Sequence, residues 1–124
     1  MESYELVVKT RFAAAHNLRK YHGNCERLHG HNWLVEIVLA AQKLDDLGMV
    51  MDFRQAKDLI ENIFEKLDHR YLNELGEFSE DNPTTENIAR FVYNSLKEKL
   101  PPQVRMKKVT AWESEDCGAS YCED

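Results

Sequence analysis

"NWLVEIVLAA", residues 32 to 41, is an aromatic and β-branched run that gives way to the turn-forming "LDDLG" of residues 44 to 48, so it predicts a strand. Upstream, "YELVVKTRF" (residues 4–12) alternates Tyr4, Leu6, Val8 and Thr10 against Glu5, Val7, Lys9 and Arg11, the two-residue period of a half-buried strand. The two are expected to pair antiparallel across a long connection. Downstream, Asp52 can cap a helix whose apolar residues Phe53, Ala56, Leu59, Ile60, Ile63, Phe64 and Leu67 fall at helical spacing, ending near Leu67. A second helix is predicted in "NPTTENIARFVYNSLKEKL" (residues 82–100), with Thr84 as N-cap, Glu86 in the first turn, and Pro101 and Pro102 as the stop. "VRMKKVTAWES" and "ASYCE" give two last strands around the hairpin "EDCG". The order ββ-α-α-ββ predicts an α+β fold, a four-stranded antiparallel sheet with two helices on one face.

A chain of 124 residues suits one domain, 1–124, and anything larger must come from association with further copies. Hydrophobic residues at 43% and charged residues at 31%, with five Gly and three Pro, suit a chain that folds rather than a disordered one. A net charge of −6 with no basic run argues against a nucleic-acid or anionic-membrane partner. "MESYELVVKT" has no apolar signal region and no stretch approaches the roughly 18 apolar residues of a membrane span, which predicts a cytoplasmic protein. Three cysteines, Cys25, Cys117 and Cys122, suit a reducing compartment without disulfides.

The chemistry is expected in the long connection, where "CERLHGHNW" (residues 25–33) places a cysteine and two histidines within seven positions. Residues two apart in an extended chain share a side, so His29 and His31 project together, with Gly30 between them leaving room for close approach. His16, just past the first strand, joins them if the strands pair. Three His ligands leave one tetrahedral position open, as a catalytic zinc (Zn2+) site requires. Cys25 is either the fourth ligand of a closed structural site or a free thiolate beside the ion, and spacing does not decide between them. A domain with a regular core does not need a zinc ion to fold, which favours catalytic use. Cys117 and Cys122 have no histidines near them in sequence. Arg19, Lys20 and Arg27 supply positive charge in the same connection, suited to an anionic substrate.

"FAAAHNL", "CERLHGHNW", "GMVMDF", "LDHRYLN", "NPTTENIA" and "AWES", in this order over nearly the whole chain, resemble the 6-pyruvoyltetrahydropterin synthase and 6-carboxytetrahydropterin synthase family. The resemblance implies the tunnelling fold, in which a four-stranded sheet with two helices joins into oligomeric barrels, so a homo-oligomer, trimer or hexamer, is expected. It implies zinc ligands at His16, His29 and His31, a catalytic cysteine at Cys25, an Asp-His pair at Asp68 and His69, and a pterin-anchoring, catalytically linked glutamate at Glu113. Thr84 and Thr85 match threonines that line the pterin pocket. Trp33 stands where a tyrosine is frequent, and Ser114 follows Glu113 where threonine is usual.

The implied substrate is a small molecule, 7,8-dihydroneopterin triphosphate. Cys25 would act as general base, and His69 would relay protons with Asp68 or Glu113 fixing its tautomer. The three residues between Cys25 and His29 are similar to the short loop of the queuosine-pathway enzymes. The implied product is therefore 6-carboxy-5,6,7,8-tetrahydropterin, with release of acetaldehyde and triphosphate. Triphosphate elimination alone, as in a 6-pyruvoyltetrahydropterin synthase, is the alternative. A zinc-stabilised interaction module without catalysis, and a zinc hydrolase with Asp68-His69 as relay, are readings from other classes.

Overall fold

A computed structural model describes residues 3–23 and 25–124. The two strands predicted at the start form the longest hairpin of the molecule, β1 (Tyr4–His16) and β2 (His29–Ala41), paired antiparallel from Tyr4↔Ala41 to His16↔His29 without a break. Even-numbered residues of β1 and odd-numbered residues of β2 face inward, which buries Val8, Phe12, Trp33, Val35, Ile37 and Leu39. This is the alternation read from Tyr4 to Phe12, carried four residues further.

Two helices cover that inward face. Helix α1 (Phe53–Phe64) begins at Asp52, whose side chain accepts from Arg54 N, and it buries Ala56, Ile60, Ile63 and Phe64. It closes three residues before the expected end at Leu67, and the chain then turns through residues 65–69, with Leu67 fully buried in that turn. Helix α2 (Thr85–Lys97) begins at Thr84, whose side chain accepts from Asn87 N, and it buries Ile88, Ala89, Val92, Tyr93 and Leu96. Residues from both helices and the inner face of the hairpin form one contiguous core.

The sheet has five strands rather than four. β3 (Arg70–Tyr71) is a two-residue strand that runs parallel to β1 at Ala14 and Ala15, and β4 (Arg105–Trp112) and β5 (Gly118–Tyr121) complete the order β3-β1-β2-β4-β5. The other three pairings are antiparallel, with a register shift in the β2–β4 pair between Val38 and Leu39. β3 was not legible because two residues carry no period. Its pairing follows from the turn after α1, where His69 N donates to Ala13 O and delivers the chain alongside β1. Gly118 opens β5 directly against Trp112, and a Cβ there would lie 2.6 Å from the indole Cε3, so only glycine fits. No helix of the described residues is long and apolar enough to cross a membrane.

Candidate metal centre

The inward series of both strands ends in histidine. On β1, Phe12, Ala14 and His16 follow one another on one face, and on β2 the same face carries His29, His31 and Trp33. His16 lies directly opposite His29 in the ladder, and His31 lies opposite Ala14. The ring centroids are 4.6 Å apart for His16–His29, 5.1 Å for His16–His31 and 4.8 Å for His29–His31. Trp33, fully buried, stands edge-on beneath His16 and His31 at 5.1 and 5.2 Å and forms the apolar floor of the cluster. The sequence reading placed these histidines in the connection; they are the last residue of β1 and the first and third of β2. The ladder continues to its end because each inward side chain still covers the residue before it.

Backbone carbonyls fix the tautomers. His16 Nδ1 lies 2.8 Å from the carbonyl of Pro83, just before α2, and His29 Nδ1 lies 2.8 Å from the carbonyl of Arg27. A carbonyl can only accept, so Nδ1 carries the proton in each ring and Nε2 is left as a lone pair for a metal. Burial pushes the His31 pKa down, partly opposed by the charge of Glu113, and so favours the neutral, ligand-competent ring.

Glu113, just after β4, completes the cluster. Its amide donates to Cys117 O across the β4–β5 turn, and its Oε2 accepts from Thr85 Oγ1 at 3.2 Å. Its Oε1 lies 2.8 Å from His31 Nε2, 3.7 Å from His16 Nε2 and 4.0 Å from His29 Nε2. The nitrogens His16 Nε2 and His31 Nε2 are buried without a hydrogen-bond partner, so the 2.8 Å contact is an approach and not an aligned hydrogen bond. Among the described residues, the donor atoms of His16, His29, His31 and Glu113 lie within 4.8 Å of one another and could hold a metal ion. Converging imidazole nitrogens with one carboxylate form a donor set that suits zinc.

The remaining predicted residues fall elsewhere. Cys25 is exposed and is not one of the four. It sits at the neck of a loop closed by Glu26, whose amide donates to Leu18 O and whose Oε1 accepts from Leu18 N. Thr84 serves as the cap of α2, while Thr85 reaches Glu113. Asp68 accepts from Ala13 N at 2.9 Å and lies 3.1 Å from His69 Nδ1. The Ala13 amide and then His69 hold its carboxyl below the usual carboxylate range. His69 has φ +59 and a side chain 82% exposed, and it borders an open cleft of about 530 Å³ with Ala13, Ala15, Gly30 and Asn32. By strand alternation those four residues face away from the histidines, the cleft also reaches Ala14 and His31, and the Asp68-His69 turn joins the sheet at its β1 edge through Ala13. Gly30 also faces this cleft, where a Cβ would make only an ordinary 3.7 Å contact with Ala14 O. Close approach of the histidines therefore does not depend on it.

Arg19 is already engaged. Its guanidinium donates to the carbonyls of Asn73, Phe78 and Asp81 and ties the loop to the segment before α2. The carbonyls of Pro83 and Arg27 that orient the histidines were missed in the sequence, and backbone groups leave no composition signal by which to find them.

A family model described as 6-pyruvoyl tetrahydropterin synthase matches residues 5–124. The dihydroneopterin monophosphate aldolase of Pyrococcus furiosus is 34% identical over 113 residues, 91% of this chain and 92% of that protein. The 6-carboxy-5,6,7,8-tetrahydropterin synthase of Bacillus subtilis is 36% identical over 103 residues, 79% of this chain and 68% of that protein. Among solved structures, the 6-pyruvoyl tetrahydropterin synthase of Caenorhabditis elegans superposes with a TM-score of 0.86 at 24% identity, covering 100% of this chain and 98% of that one, which establishes a shared fold.

Proposed function

The chain belongs to the 6-pyruvoyl tetrahydropterin synthase family, and from that premise we propose that it is a zinc-dependent lyase acting on 7,8-dihydroneopterin triphosphate. The product is 6-carboxy-5,6,7,8-tetrahydropterin, released with acetaldehyde and triphosphate, as a cytoplasmic step of queuosine-type 7-deazapurine synthesis. The observation that carries the reading is the convergence of three Nε2 atoms, from His16, His29 and His31, on one point beside Glu113.

Those three imidazoles would hold the zinc ion, which when bound supplies Lewis acidity to the side-chain hydroxyls of the substrate. Glu113 accepts two N–H bonds from the amino-amidine edge of the pterin, with Thr85 steadying the carboxylate through its hydroxyl. Cys25, exposed at the loop neck, takes the proton from the side-chain carbon as thiolate. His69 returns protons to later intermediates, oriented by Asp68 at 3.1 Å. That pair is not among the four converging donors of its own chain, and in the proposed reading it serves the cluster of a neighbouring copy in a homo-oligomer, trimer or hexamer.

A second reading is favoured by the Pyrococcus furiosus relative, named for aldol cleavage of dihydroneopterin monophosphate and matched over nearly the whole chain. Incubation of the zinc-loaded protein with 7,8-dihydroneopterin triphosphate and, separately, the monophosphate decides between them. Acetaldehyde trapped as its hydrazone in equal amount to the triphosphate substrate consumed is the expected result. Triphosphate release without acetaldehyde makes the protein a pyruvoyl-forming synthase. Turnover of the monophosphate alone makes it an aldolase, and no turnover of either leaves a metal-stabilised module.

A further inference from the structure

β1 ends at His16, yet the next three residues are still hydrogen-bonded as a strand is, along two edges. On one edge Leu18 O accepts from Glu26 N at 2.8 Å and Leu18 N donates to Glu26 Oε1 at 3.2 Å. Asn17 and Arg19, as alternate residues, turn to the other edge. Their partners there are two asparagine side chains. Asn73 Oδ1 accepts from Asn17 N at 3.0 Å while Asn73 Nδ2 donates to Asn17 O at 2.8 Å. Asn82 repeats the pattern at Arg19, accepting from the amide at 2.8 Å and donating to the carbonyl at 3.1 Å. A carboxamide carries the donor and the acceptor of a peptide group, so each asparagine stands in for one residue of a neighbouring strand.

Both asparagines are themselves held. The Arg19 guanidinium donates to Asn73 O, and Asn87 Nδ2 donates to Asn82 O. A further link runs across the strip, where Tyr71 Oη donates to Asn17 Oδ1 and Asn17 Nδ2 donates to Glu26 O. Glu26 is therefore tied to the strip by its amide, its carbonyl and its carboxylate, and Cys25 is the next residue along the chain. Neither asparagine is among the four converging donors of the histidine cluster.

We propose that Asn73 and Asn82 are positioning residues for Cys25. They hold Asn17 and Arg19 in register, Leu18 between them holds Glu26, and Glu26 fixes where the exposed thiol stands relative to His16. This role rests on the function proposed above, in which Cys25 takes a proton from the substrate. A displacement of about 1 Å in a reacting group can cost roughly 10²-fold in rate, so loss of the clamp should be felt in the chemical step rather than in binding.

Asn73→Asp keeps the acceptor and the shape and removes the donor, while Asn82→Ala removes both. The first readout is amide hydrogen exchange at Leu18 and Glu26, whose amides touch neither asparagine. Both should exchange about tenfold or more faster in each variant. With whichever dihydroneopterin phosphate the wild type consumes, kcat should fall about tenfold or more, KM should stay within about twofold, and zinc content should be unchanged. Added to Cys25→Ala, either substitution should lower the residual rate no further, because the group it positions is gone; a merely structural role would subtract again. Either variant alone serves every arm, so the test survives misfolding of the other. Unchanged exchange at Glu26 overturns the clamp. Faster exchange with kcat unchanged, loss of zinc in step with turnover, or a full further loss in the Cys25→Ala background overturns the positioning role. Failure of the wild type to turn over either phosphate overturns that role together with the proposed function, while the exchange still decides the clamp.

Discussion

The histidine end of the β1–β2 hairpin and the turn at Asp68 and His69 meet the same strand within four residues of each other, and their physical settings are opposed. His16 is 3% exposed, packed on Trp33 and bonded to the carbonyl that precedes α2. His69 has a side chain 82% exposed, and its backbone is held in a left-handed conformation by hydrogen bonds to Ala13. A left-handed non-glycine residue is disfavoured unless its surroundings enforce it. Here Asp68 and His69 take both the amide and the carbonyl of Ala13, which holds the turn in place. One region is complete inside the chain. The other is presented outward, and among the described residues no hydrogen bond or ion pair links His69 to the histidine cluster.

Removing a ligand should affect only the first region, and it has the largest expected effect. His29→Ala or His31→Ala leaves too few protein ligands to hold an open tetrahedral site, so zinc content measured on purified protein should fall from about one per chain to near zero, taking turnover with it. The Asp68-His69 turn shares no hydrogen bond with these rings, so its amide exchange should stay as in wild type. Full zinc in both variants would remove the metal assignment.

Mixing experiments address the second region. Cys25→Ala and His69→Ala should each keep zinc and lose turnover by about 10²-fold or more, as for deletion of a positioned acid or base. When the two are unfolded, mixed and reassembled, activity should return, because some sites then combine an intact Cys25 from one copy with an intact His69 from another. Retained activity in either single variant, or a mixture as inactive as its parts, would contradict a site shared between copies.

The smallest effect tests how far α2 supports the histidine end. Thr84→Ala removes the side-chain oxygen that accepts from Asn87 N and should cost about 1 kcal/mol in denaturant unfolding. Pro83, adjacent to that cap, holds His16, so zinc should also bind more weakly in the variant. A stability loss with unchanged zinc affinity would show that the Pro83 carbonyl stays in place without the cap.

Most of the fold could be read in the chain because its signals are periodic and local. Tyr4 to Arg11 alternates, Asp52 and Thr84 are side-chain caps at helix starts, and Pro101–Pro102 bars any longer helix. β3 escaped because two residues have no period, and its pairing depends on a turn 55 residues from its partner in sequence. The candidate site divided in the same way. His29 and His31 declare themselves by a spacing of two in an extended run, and His16 by the antiparallel pairing of the strands.

What the sequence by itself determined about this protein is therefore the set of chemical groups and the side of the strand on which they fall: three imidazoles, one thiol, and the carboxylates available to them. Tertiary structure alone decided which lone pairs face inward, because Pro83 is 67 residues from His16 and contributes a backbone carbonyl that every residue possesses. It also decided that Glu113, and not Cys25, stands fourth among the donors, since the β4–β5 turn and the hydroxyl of Thr85 aim the carboxylate. Finally, it set Asp68 and His69 at the β1 edge, bonded to Ala13 and outside the donor cluster. Spacing along the chain fixes which residues share a face, but which face a distant turn arrives on depends on the packing of α1 and the hydrogen bonds it leaves at Ala13.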